Sequence, residues 1–173
     1  MSLVVPSTLN ATPVVGEQLF LQSILGVTTP VTTLYVHLYS GTPTVAFSNM
    51  TCTDIASNEQ TVLTAISSYT PQPIVGPLPR PSGSIGWLFS SGTGSITATT
   101  TGPVTFNLGP STSGVTINGY FVTDSPLIGS AASGASMYWI EQFTNGAGQA
   151  ISFPVSATGG TIQITLQLSL VNN

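Results

Sequence analysis

The chain has 173 residues but only one Arg, no Lys and five acids, so charged residues make up 3% of it, against roughly 25% in an ordinary soluble domain. Phosphate neutralisation needs Lys and Arg in numbers, which argues against a nucleic-acid partner. A net charge of −4 spread over so few groups also gives no patch for electrostatic steering.

Polarity rests instead on 22 Ser and 26 Thr. Such a surface is hydrated without repelling a like neighbour, which suits a subunit that packs repeatedly. The 41% of hydrophobic residues is enough for a real core, and the length fits one domain spanning 1–173. Cys52 is the sole cysteine, so an internal disulfide is impossible and a Cys/His zinc cluster cannot be assembled. It reads as a small buried hydrophobe, with an intermolecular disulfide as the alternative. The opening residues lack the basic region and long apolar run of a secretory signal, and no apolar run is long enough to span a membrane. Asn10 and Asn49 match the glycosylation pattern by chance in so Thr-rich a chain. These features predict synthesis and folding in a cytoplasm, with no membrane partner.

In chain order, residues 1–15 read as an N-terminal arm that includes Val4 and Val5. From Gly16 to Leu25, Leu19, Phe20 and Ile24 recur at helical spacing between Pro13 and Gly26, predicting one short N-terminal helix. Leu34 to Tyr39 alternates as a strand, setting Leu34, Val36 and Leu38 against Tyr35, His37 and Tyr39. Residues 71–86 hold five prolines. That tract cannot be a central strand, and is either a surface loop or an arm reaching a neighbour. Within it, Arg80 stands between Pro79 and Pro81. It is either a solvated loop arginine or a bidentate contact to a carboxylate on another chain.

Trp87, Leu88 and Phe89 follow directly. Core anchoring is the default for such a cluster and an interface hot spot the alternative. The run from Thr97 to Thr101 lacks the fixed repeat of an ice-binding array. Val104, Phe106 and Leu108 share one face of a further strand, and Val115–Thr123 with Met137–Phe143 form a β-hairpin around a small, flexible loop. The clearest strand is Thr161–Leu170, with Ile162, Ile164, Leu166, Leu168 and Leu170 on one face and polar residues on the other. Short strands separated by 18 Gly and 13 Pro predict an all-β fold, an antiparallel β-sandwich of jelly-roll-like character with one short helix.

A catalytic set is hard to assemble from these residues. His37 is the sole histidine and reads as a solvated or interfacial strand residue. The carboxylate pairs Asp54 with Glu59 and Asp124 with Glu141 have no spacing that favours convergence, and no G-x-S-x-G elbow is present. The expectation is a protein that is not an enzyme and takes no cofactor or metal.

Several segments together resemble a group of small tailed-bacteriophage virion proteins. They are GEQLFLQSILG, TLYVHLYSGTPT, INGYFVTDS, MYWIEQF and the Gly159-Gly160 turn into TIQITLQLSL. The group's pattern is a short N-terminal helix, an "LKLYSN" strand, a "V-x-GYFVTD" strand, an "LLWAE-x-F" strand and a final strand. Tyr120, Phe121, Val122, Thr123 and Asp124 match the central motif unchanged; Trp139, Glu141 and Phe143 match the next, with Ile140 where Ala is common. The resemblance covers about residues 14–45 and 115–170, and the middle departs from it.

It implies a structural virion protein. The expected role is a capsid decoration (cement) protein on the outer surface of the head, bridging subunits of the major capsid protein and meeting copies of itself as dimers or trimers. Candidate interface residues are Val4, Val5, Arg80, Trp87 and Phe89. The alternative is a tail or fibre component, including a receptor-binding head.

Overall fold

The computed structural model describes residues 2–8, 31–76, 82–92 and 95–171. Over these residues the chain is a β-sandwich. The strands are β1 (Ser2–Thr8), β2 (Thr33–Ser40), β3 (Gln72–Val75), β4 (Trp87–Gly92), β5 (Ser95–Thr100), β6 (Val104–Leu108), β7 (Val115–Thr123), β8 (Met137–Gln142), β9 (Phe153–Val155) and β10 (Gly160–Val171). Among the described residues there is one helix, α1, spanning Cys52–Ala65, and short 3-10 turns occur at Phe47–Asn49 and Gly129–Ala132.

The first sheet runs β4-β5-β10-β1, with β6 lying in line with β5 along the same edge of β10. Gly102 and Pro103 break what would be one long strand, and the Thr100 hydroxyl accepts from the Leu166 amide at 3.2 Å where the ladder is interrupted. The pairing of β1 with β10 is parallel, whereas the other strand pairs are antiparallel. The second sheet runs β3-β2-β7, with β8 and β9 in line along the far edge of β7.

Alternation places Val104, Phe106 and Leu108 of β6 and Ile162, Ile164 and Leu166 of β10 on the inner face of the first sheet. They meet Val36, Leu38, Ile117, Tyr120 and Val122 of the second sheet in one core cluster. The strands expected at residues 34–39, 103–108 and 161–170 are therefore present, and in the last the assigned inner face is buried from Ile162 to Leu166. Residues 115–123 and 137–142 pair as neighbours, as the hairpin reading required.

β2 and β7 are buried on both faces: Val36 through Tyr39 and Tyr120 through Thr123 are all buried. The cause is α1, which covers the outer face of the second sheet. Cys52 and Ile55 of α1 pack with Met50, Tyr39, Phe121, Met137 and Ile140 in a second cluster. Thr51 caps this helix. Its side chain accepts from the Asp54 amide, and the Asp54 carboxylate accepts from the Thr51 amide at 2.9 Å, a capping box.

The helix expected over 16–25 lies outside the described residues, while α1 went unread in the sequence. Its buried face is Cys52, Ile55, Glu59, Val62 and Ala65, and a glutamate at the centre of that stripe hides the apolar period. Two further segments take regular structure. Residues 2–8 of the arm are a strand held in the first sheet, with Val4 opposite Gln163 and Val5 opposite Ile164. In the Pro-rich tract, residues 72–75 form edge strand β3, where Pro73 is tolerated because an edge position need not donate to a second neighbour.

Candidate interaction surface and the buried ionisable network

The helix that covers the second sheet also seals in the ionisable residues. His37 is 0% exposed, which overturns its reading as a solvated or interfacial strand residue. Its Nδ1 lies 2.6 Å from Glu59 Oε1, its Nε2 lies 2.9 Å from the Ser125 carbonyl and 3.0 Å from Thr123 Oγ1, and its ring stacks on Phe121.

Glu59 is buried opposite it and accepts two further bonds, from the Tyr69 hydroxyl at 2.9 Å and the Gly129 amide at 2.8 Å. The Tyr69 hydroxyl in turn accepts from the Leu38 amide at 2.8 Å, at a point on β2 beyond the end of β3. Burial first, and Glu59 beside it, raise the Tyr69 phenol well above its ordinary value. One network thus ties β2, α1, the end of β7 and the 129–132 turn together. Within the connection from Asp124 to Gly134, expected as a flexible hairpin loop, the 129–132 turn packs on α1 with Gly129 and Ala132 buried.

The carboxylates have separate duties. Asp54 caps α1 and is held below its ordinary range by the Thr51 hydroxyl and amide. Asp124 accepts from the Ser136 amide at 2.9 Å, closing the 124–136 connection. Glu141 is buried and accepts from the Tyr120 hydroxyl at 2.5 Å, so the strand glutamate of the "WIE" motif is a core residue. Gly119, next to Tyr120, is required by packing: a Cβ there would collide with the Glu141 carbonyl and the Tyr39 ring. Cys52 is buried, and burial first, with Asp124 and Glu59 adding to it, pushes its thiol up to about 12. That is the environment of an inert thiol, not of one poised for an intermolecular bridge. Among the described residues, no three His, Cys, Asp or Glu side chains converge as metal ligands. A surface depression near Ser68, Asn107, Thr158 and Thr161 is lined by hydroxyls, an amide and backbone.

The open surface of most interest is the β4–β5 hairpin. β4 is the terminal strand of the first sheet. Trp87 is half-buried and meets Trp139 edge-on across the sandwich, with ring centres 6.2 Å apart. That contact supports the core-anchoring reading of Trp87. Two residues on, Phe89 is 75% exposed and Leu88, on the opposite face, 58% exposed. The hairpin therefore leaves the cover of the second sheet between Trp87 and Phe89.

Of the sequence-derived interface candidates, Trp87 and Phe89 lie on this hairpin. Val4 and Val5 lie at the other edge of the same sheet, and Arg80 falls outside the described residues. Leu88, named in the same sequence cluster, is exposed as well, on the face of β4 turned away from the second sheet. Compared with known proteins, the sequence matches no family model and no curated protein.

Proposed function

We propose that this chain is a structural virion protein, a capsid decoration (cement) protein on the outer surface of a tailed-phage head. Its partners in this reading are the major capsid protein and further copies of itself. The observation that carries the proposal is the disposition of charge. His37, Glu59 and Glu141 are spent inside the core, and the surface of the described residues, Asp54 and Asp124 aside, is hydroxyl-rich with an exposed apolar, uncharged hairpin at Leu88 and Phe89. Surfaces of that kind suit repeated packing against neutral neighbours. The resemblance of the β7 and β8 motifs to small phage virion proteins points the same way, and the shortage of cations disfavours a DNA-facing position on the inner wall.

The mechanism is energetic clamping. Each copy buries surface on two or more capsid subunits, so opening the shell under genome pressure must also break those contacts; about 1,600 Å² in total suffices for a specific contact. The test is the number of copies in purified particles before and after removal of tails. Many copies retained on tail-less heads support the decoration role. Few copies, or loss with the tails, transfer the chain to the tail or fibre. Absence from particles ends the virion reading.

A further inference from the structure

The backbone of β4 points to a specific partner. The Thr101 amide donates to the Gly86 carbonyl at 2.8 Å, one step beyond the ladder in which Trp87 pairs with Thr100 and Leu88 with Thr99. Gly86 is therefore a hydrogen-bonded position of this antiparallel ladder. Such positions alternate along a strand, so Leu88 and Ser90 turn their amides and carbonyls toward β5. Trp87, Phe89 and Ser91 turn theirs to the open edge. Among the described residues, no strand takes up those groups.

Natural sheets guard a free edge with a charge, a proline, a bulge or a cover. The sequence from Trp87 to Gly92, WLFSSG, has neither charge nor proline, and its pairing with β5 is regular along its length.

We infer that β4 pairs antiparallel with β4 of a second copy about a two-fold axis at Phe89. This register is self-complementary. Phe89 meets Phe89 of the other copy as a hydrogen-bonded pair, and Trp87 meets Ser91 on either side, so the outward amides and carbonyls at all three positions are used by both strands. The two phenyl rings then form a directly opposed cross-strand pair, the most favourable use of a 75% exposed aromatic. No charge on the strand opposes a second copy, and a two-fold contact of one patch with itself closes at two subunits. The inference goes beyond the virion proposal, because such a pair forms or fails in purified protein whatever particle the chain joins.

The test is sedimentation equilibrium of the purified full chain across a micromolar concentration series, with Phe89→Asp and Ser91→Pro as variants. Phe89→Asp sets two like charges face to face at the axis. Ser91→Pro removes an outward amide while leaving the bonds to β5 in place. The expected result is a monomer–dimer equilibrium for the parent chain and at least tenfold weaker pairing in both variants, with unchanged circular dichroism and thermal midpoint. A parent chain that stays monomeric, forms a trimer, or dimerises equally well in a folded variant overturns the inference. Copy number in particles is read separately, so the two proposals fail independently.

Discussion

Replacing Glu59 with Ala tests whether the buried network holds the helix onto the sheet. The substitution leaves three polar groups facing the gap: His37 Nδ1 at 2.6 Å, the Tyr69 hydroxyl at 2.9 Å and the Gly129 amide at 2.8 Å from the carboxylate oxygens they now reach. An orphaned buried polar group costs about 1–3 kcal/mol, so three of them set a floor of about 3 kcal/mol even before the cavity is counted. Against a domain stability of about 5–15 kcal/mol, that is a large fraction. For a chain of this length it corresponds to a fall in thermal midpoint of about 6–12 °C. Urea unfolding followed by fluorescence of Trp87 and Trp139 measures the free energy directly. The double variant His37→Leu with Glu59→Leu removes both partners of the shortest bond, and should cost less than the sum of the single substitutions. A loss below about 1 kcal/mol for Glu59→Ala would refute the reasoning, because it would mean that the orphaned groups find other partners at little cost.

Gly119→Ala should destabilise by roughly 3 kcal/mol, the upper end of the overpacking range, since both obstacles, the Glu141 carbonyl and the Tyr39 ring, are held in the sheets; chemical denaturation checks it. The Cys52 thiol should resist a disulfide exchange reagent at pH 8 in the native state and react at once in denaturant. Its folded pKa is raised to about 12, so the stability linked to the neutral thiol is present below the unfolded value and lost as pH rises toward 12; fast native-state labelling would contradict this. Asp54 has the opposite sign. Its folded pKa is lowered, so the capping contribution is present above the ordinary carboxylate value and lost as pH falls through the folded one. Asp54→Asn should therefore flatten the acid limb of a stability–pH curve, and an unchanged limb would remove the capping box from the account.

What could be read from the sequence depended on how many layers covered each strand. β10 has one buried face, so Ile162, Ile164 and Leu166 alternate with Thr161, Gln163 and Thr165 and the strand was plain. β2 alternates as cleanly, but Tyr35, His37 and Tyr39 are polar enough to pass for a wet face. Only the helix lying over them shows that His37 and Tyr39 belong to a second core. That helix was itself concealed by Glu59, whose charge on the inward stripe makes sense only beside His37, 22 positions away in the chain. The capping pattern Thr51-x-x-Asp54 was the local signal available for it. On β4 the composition named Trp87 and Phe89 together, whereas their fates diverge because the opposing sheet supplies Trp139 to one and nothing to the other. No one-dimensional pattern carries that difference.

The parallel alignment of β1 with β10 has a mechanical consequence. Tension applied between Ser2 and Val171 pulls the two strands along their length in opposite directions. All seven paired positions, from Ser2 with Thr161 to Thr8 with Gln167, are then loaded together in shear. An antiparallel partner pulled from one end would unzip one bond at a time. A subunit built this way yields to stretching abruptly and at high force.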